Sequence, residues 1–218
     1  MSAEIKKFTA ALEAIKRSRK RGFNQSVDLI VNLKDIDMKS GSKINELIEL
    51  PHSIQKAIKV CVVGSGQMAL DAKKEGADGV LRREDLEVLS KDKKAARKLV
   101  SQYDFFISEA SLMPMVGKTL GVFLGPRGKM PTPVPPNAPL GPIIARHKKS
   151  VQVKLKDNPT IQCRVGTEDM SVDQLYENVK AVLERLKQKL ERGARNIGAI
   201  YLKTTMGEPI KIELGDEK

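Results

Sequence analysis

The sequence predicts an α/β (α+β) protein of two domains. One is a discontinuous α+β sandwich formed by both ends of the chain. The other is an inserted, Rossmann-like, three-layer α/β domain. Three observations carry this reading. Both ends hold strands that alternate apolar and polar residues beside amphipathic helices, as Val27, Leu29, Val31 and Leu33 do. The middle holds a continuous apolar run, "IKVCVVG" at Ile58–Gly64, the pattern of a strand buried on both faces of a parallel sheet. Short strands and helices then alternate after it. The pattern changes near 52–54 and 149–151, which assigns 1–53 and 150–218 to the first domain and 54–149 to the second.

The elements follow in order. Ile5, Phe8, Leu12 and Ile15 recur at helical spacing and predict a helix over Ala3–Ser18. A basic run, Arg17–Gly22, closes on a helix-stopping glycine. Ser26–Ile36 alternates as a strand, and a loop then leads to an edge strand before "ELPH" at Glu49–His52. After Ile58–Gly64, a helix is expected over Ser65–Glu75, ended by Gly76. "GVLRREDL" is a short strand and turn, Leu86–Tyr103 is helical, Asp104–Ala110 is a third strand, and Met113–Gly125 reads as a helix. Val151–Asp157 and Thr160–Gly166 alternate with period two across Asn158–Pro159 and predict a hairpin. Ser171 N-caps a long helix whose apolar face runs from Val172 through Leu175, Val179, Leu183 and Leu186 to Leu190, with Gly193 as its stop. Strands at Ala199–Thr204 and Ile210–Leu214 finish the chain.

Bulk properties narrow the function. With 40% hydrophobic residues, the 218-residue chain can pack a core. Its net charge of +12 favours a polyanionic partner, nucleic acid ahead of membrane. The charge is spread: 54–149 carries 17 basic and 9 acidic side chains, and the two outer segments together carry 22 and 18. No apolar run is long enough to span a bilayer. Cys61 and Cys163 lie in apolar, strand-like segments and read as reduced, buried side chains of a cytosolic protein. With His52 and His147 they show no metal-ligand spacing, so no metal is expected. The chain has no Trp, 3 Tyr and 5 Phe, too few rings for a surface that stacks single-stranded bases. A structured RNA, read through backbone, ribose hydroxyls and shape, fits better.

Four motifs carry candidate chemistry. Gly64, Gly66 and Ala69 in "VVGSGQMA" fit a dinucleotide fingerprint, and Glu84 lies where a ribose-binding acid would sit. About three strands follow it, few for a dinucleotide fold, and no catalytic group accompanies it, so no cofactor is assigned. "GVFLGPRGKM" fails as a P-loop because Phe123 replaces its first glycine and Met130 its Ser or Thr. "TTMGEP" offers Thr204 and Thr205 hydroxyls, an apolar Met206, and Gly207, where a ligand backbone can approach closely; it reads equally as a tight turn. Phe23, before the first strand, either packs under the first helix or meets RNA.

"LGPRGKMPTP" (Leu124–Pro133), "ELPH", "EGADGV" (Glu75–Val80) and "TTMGEP", in that order and spacing, resemble the L-one family of large-subunit ribosomal proteins in its archaeal form. The resemblance spans nearly the whole chain. It implies a non-enzymatic protein that binds structured large-subunit rRNA and forms the mobile stalk beside the tRNA exit site. It implies assistance in the release of deacylated tRNA and repression of the protein's own mRNA. It also implies a protein of the cytoplasm, within the large ribosomal subunit, and a monomer when free. The family's main RNA contact carries over to Phe23, Asn24, Gln25 and Ser26, and to Thr205, Met206 and Gly207. Thr204 joins them from its motif, and Lys154 and Arg164 from the exposed face of the expected hairpin. Gly125–Pro142 is expected to be a stiff loop of the second domain, whose Arg127 and Lys129 either reach phosphates or brace the domain.

Overall fold

The computed structural model describes residues 3–16, 21–36, 44–54, 58–155 and 158–212. Most of the basic run, at 17–20, and the loop at 37–43 lie outside the described residues, as do 213 and 214 of the last expected strand. The chain begins with α1 (Ala3–Lys16), β1 (Ser26–Leu33) and β2 (Asn45–Glu49). Next come β3 (Val60–Val63), α2 (Gly66–Lys74), β4 (Gly79–Leu81), α3 (Arg83–Lys91) and α4 (Lys93–Gln102). Then follow β5 (Phe105–Glu109), α5 (Met113–Thr119), α6 (Gly121–Arg127), β6 (Thr132–Val134) and α7 (Leu140–Lys148). The chain finishes with β7 (Ser150–Lys154), β8 (Thr160–Thr167), α8 (Val172–Lys189), β9 (Ile197–Thr204) and β10 (Ile210–Ile212). Two units divide it, Met1–Lys56 with Lys149–Lys218, and Ala57–Lys148.

In the first unit, alternation decides the sheet. Val27, Leu29, Val31 and Leu33 are all buried, so one face of β1 belongs to the core. β1 lies between β8 and β9, antiparallel to both, in the order β10-β9-β1-β8. α1 and α8 pack on this unit's core, with Phe8 and Tyr176 edge to face at 6.0 Å. A bulge between Val27 and Asp28 sets Val165 outside the ladder. Its carbonyl accepts from Asn178 Nδ2 of α8 at 2.8 Å. The same fully buried side chain holds the His52 backbone, accepting from its N–H at 2.9 Å and donating to its carbonyl at 3.0 Å. One amide thus satisfies three backbone groups, the buried Val165 carbonyl among them.

The expected hairpin does not form. β7 pairs with β2 in a two-stranded antiparallel sheet, while β8 pairs with β1. Each strand has the right period, but period says nothing about the partner, and here the partners come from the other end of the chain. The long helix starts as expected, with the Ser171 hydroxyl accepting from the Gln174 N–H and the Gln174 side chain accepting in return. It ends at Lys189, before Gly193, because Leu190 turns to an extended backbone while keeping its side chain buried.

In the second unit all four strands are parallel, in the order β4-β3-β5-β6. Val60 and Val62 pack into one apolar cluster with Met68, Leu140 and Ile144, while Cys61 and Val63 pack into another with Leu86, Val100 and Leu124. This is the three-layer arrangement that a both-faces-buried run requires. Burial pushes the Cys61 thiol, and that of Cys163 in the first unit, up to about 12. Two expected helices are each divided. Asp92 breaks the first and caps α4, its carboxylate accepting from Lys94 N and Ala95 N; the second breaks at Leu120.

The Pro- and Gly-rich stretch is more structured than a loop. It completes α6, contributes β6 at the sheet edge, and starts α7. An edge strand tolerates Pro133, which lacks a ladder N–H. Gly128 ends α6 in the left-handed region, at φ 64°. "EGADGV" is structural too. Asp78 accepts from the Val60 N–H at 2.9 Å, and a Cβ on Gly79 would lie 2.4 Å from the Tyr103 hydroxyl.

Replacing Asn178 by Ala takes its bond from the buried Val165 carbonyl and two more from the His52 backbone. It should lower the unfolding free energy by roughly 2–3 kcal/mol, read as a lower denaturant midpoint at unchanged slope. A midpoint equal to the parent's would contradict the role given to this amide.

Candidate nucleic-acid interface

Three separate segments meet at one end of the four-stranded sheet. They are the approach to β1 (Phe23–Ser26), the turn after β8 (Glu168–Asp169), and the turn after β9 (Thr204–Gly207). The Thr205 N–H donates to the Ser26 carbonyl at 3.0 Å, and the Ser26 N–H donates to Thr205 Oγ1 at 3.1 Å. Gln25, 1% exposed, accepts from the Met206 N–H at 3.1 Å and donates to Glu168 Oε2 at 3.2 Å. The Glu168 N–H donates to the Gln25 carbonyl at 2.9 Å, and Asn24 donates to the Asp169 carboxylate. The Gly207 N–H closes its turn on the Thr204 carbonyl at 3.2 Å.

This stitching holds two large apolar side chains in water. Phe23, two residues before Gln25, is 51% exposed, and Met206, whose N–H donates to Gln25, is 60% exposed. Each costs free energy while unpartnered, so the surface is poised for an apolar or stacking contact. Phe23 therefore does not pack into the core under α1.

Two expected contact residues turn inward. Thr204 is 1% exposed, because it shares parity with Ile200 and Leu202 on the core face of β9. Gln25 shares parity with Val27 and is equally buried. It positions the Met206 turn and does not itself face a partner. Thr205 and Asn24 are exposed, and Ser26 and Gly207 are partly so.

Arg164 lies on the outer face of the sheet, opposite Asp28 of β1, and Lys203 of β9 lies opposite the same Asp28. Burial raises the Asp28 carboxyl above its ordinary value, while Arg164 and Lys203 pull it back. The row Lys203, Asp28, Arg164 crosses the sheet one register position in from the stitched end. Asp28 and Lys203 were missed in the sequence, although the parity of β1 and β9 puts them outward. Glu168 and Asp169 had no local signal, being over 140 residues from their partners Gln25 and Asn24. Lys154 falls elsewhere, opposite Asn45 on the two-stranded sheet.

The second unit answers two further questions. The Gly64–Gly66 loop is filled by the chain itself. Ser65 N–H and Oγ both donate to Glu109 Oε2, at 3.0 and 2.7 Å, and Ser111 Oγ donates to Oε1 at 2.5 Å. A carboxylate thus stands before the N-terminus of α2, where a nucleotide-binding fold would place phosphate. Glu84 is exposed on the first turn of α3. Lys129 is a brace: its ammonium donates to the carbonyls of Tyr103 at 2.5 Å and Val100 at 3.3 Å, and burial lowers its pKa. Arg127 Nη1 donates to Ser101 Oγ at 2.7 Å. Among the described residues no cluster of three metal-ligating side chains exists, and no helix is long and apolar enough to cross a membrane.

The family model described as the ribosomal protein L1p/L10e family matches residues 13–208. The chain belongs to that family. It is similar to proteins named large ribosomal subunit protein uL1 in several archaea. That of Methanocella arvoryzae is 47% identical over 206 residues, covering 92% of this chain and 97% of the relative. That of Thermofilum pendens is 46% identical over 207 residues, covering 92% and 91%. The Pyrococcus horikoshii protein is 47% identical over 206 residues, covering 94% of both. The family match runs through the Phe23–Ser26 approach and the Thr204–Gly207 turn alike.

Hydroxyls of Ser111 and then Ser65 hold the Glu109 carboxyl below its ordinary value of 4.5, against burial. A carboxyl depressed in the folded state stabilises fully above its unfolded value, and this contribution is lost as pH falls through the folded one. Glu109→Gln should therefore be less stable than the parent at neutral pH, with the difference shrinking in acid. A difference that stays constant from neutral to acid, followed by thermal melts, would contradict the charged role.

Proposed function

We propose that this chain is a protein of the large ribosomal subunit that grips structured large-subunit rRNA through its first unit. The observation that carries the reading is the stitched end of the sheet, where Phe23 and Met206 stand exposed beside Thr205, Ser26 and Gly207. A preformed surface of this kind suits folded RNA. Main-chain groups and the Thr205 hydroxyl are fixed before binding, so little ordering entropy remains to be lost. The Met206 and Phe23 side chains offer faces to a ribose or base, and the glycine leaves room for a backbone to come close. Arg164 and Lys203 extend the surface with charge that phosphates can use.

Placement in the subunit's mobile stalk, help in releasing deacylated tRNA, and repression of the protein's own mRNA through an RNA resembling the rRNA site follow from the family reading. All would use the same surface or its neighbours. A nucleotide-dependent enzyme is disfavoured by Glu109, which fills the Gly64–Gly66 loop.

The test is affinity across a salt series for two RNAs, the stalk region of large-subunit rRNA and a plain duplex of equal length. If about five phosphates are neutralised, log K should fall with log salt at a slope of roughly −3.5 to −4.5. The preference for the stalk RNA should persist at high salt, since the Met206–Gly207 contact is not ionic. Gly207→Val should weaken stalk-RNA binding far more than Lys129→Ala, which removes a brace of the second unit. Equal affinities for both RNAs, collapsing together with salt, would overturn the reading.

A further inference from the structure

α4 concentrates cations in a short helix. Its sequence, "KKAARKLVSQ", has four basic residues and no acidic one. Ala96 and Val100 are buried on one side, and Lys94, Arg97, Lys98 and Ser101 are exposed on the other. Ser101 Oγ accepts from Arg127 Nη1 of α6, which sets a guanidinium at the end of the same row. The neighbouring acid, Asp92, is engaged as the cap, its carboxylate accepting from Lys94 N and Ala95 N.

Several helix cations elsewhere are neutralised within the chain. In α3, Arg83 pairs with Glu87 at 3.6 Å. In α8, Lys180 pairs with Glu184 at 3.8 Å, and Arg185 and Lys189 converge on Glu46 at 3.1 and 2.6 Å. Lys148 of α7 pairs with Asp78 at 3.3 Å. Among the described residues, Lys94, Arg97 and Lys98 take part in no ion pair. Instead, like charges stand one turn apart, Lys93 with Arg97 and Lys94 with Lys98, an arrangement that destabilises a helix. An external polyanion would turn that repulsion into attraction.

We propose that the exposed face of α4, through Lys94, Arg97 and Lys98, is a second RNA-backbone contact of this protein, on the inserted unit. It is non-specific, because the deep, narrow groove of an RNA duplex keeps its base edges from a helix face, which leaves phosphates as the partners. That the polyanion is RNA rests on the rRNA-binding reading above. The charge complementarity itself does not.

The test uses the full chain and a plain RNA duplex of non-ribosomal sequence. In the variant K94Q/R97Q/K98Q, the slope of log K against log salt should become shallower by about 2 to 3, the loss of three phosphate contacts. The control K180Q/R185Q/K189Q removes as many charges from α8, where they are paired, and should leave the slope unchanged. Equal flattening in both would mean that net charge alone matters and would overturn the proposal, as would an unchanged slope in the α4 variant. A second measurement needs no variant: the duplex should protect Lys94 and Lys98 of the parent protein from an amine-reactive reagent, and absence of protection overturns the contact. Protection by anionic phospholipid vesicles but not by RNA would assign the face to a membrane and also overturn it. Gly207→Val separates the two readings, since it should abolish the stalk-RNA preference and leave the duplex slope intact.

Discussion

Everything in the first unit depends on β1 lying between β8 and β9. One strand from the first part of the chain is paired on both edges by strands from the last part. That pairing joins the two ends of the chain into one unit. It also delivers Phe23–Ser26 to the place where the β9 turn ends. Without the ladder, Gln25 would have no Met206 N–H to accept from and Ser26 no Thr205 to bond. The candidate interface is thus a by-product of long-range strand pairing, made of pieces nearly 180 residues apart in sequence. Its rigidity comes from backbone hydrogen bonds and a buried amide, which lets the exposed side chains be few.

The inserted unit sets a carboxylate of its own against the strand-to-helix turn. The strand-to-helix turn at Gly64–Gly66 has the small residues that a phosphate loop needs. Glu109, at the end of β5, supplies the anion internally, and three hydrogen bonds from Ser65 and Ser111 satisfy it. A helix N-terminus is thereby neutralised within the chain. Lys129 repeats the theme in the opposite sign, with a cation committed to carbonyls. In contrast, Lys94, Arg97 and Lys98 of α4 form no ion pair among the described residues.

Much of this was legible in the sequence, because periodicity reports which face is buried. The run at Val60–Val63, the capped α8 and the alternating β1 all follow from pattern. The same parity places Thr204 and Gln25 inward, so their burial was readable and was overridden by the appeal of the motif around them. Other features were not local. The Val151–Lys154 and Thr160–Thr167 strands look like a hairpin because they are adjacent and alternate, yet each finds its partner in a segment far away. The ring of Glu168, Asp169, Gln25 and Asn24 exists only after those pairings form. Of the helix breaks, Asp92 carried a capping signal, and Leu120 lies between Gly117 and Gly121, weak helix formers.

The central claim is that RNA meets the stitched end of the β1 sheet. The most direct measurement is a titration of the isotope-labelled full chain with the stalk region of large-subunit rRNA, followed by amide chemical shifts. The account predicts the largest changes at Phe23–Ser26 and Thr205–Gly207, with little change at Gly64–Ala69. Changes centred on the Gly64–Ala69 loop, or spread evenly over every basic surface, would contradict it.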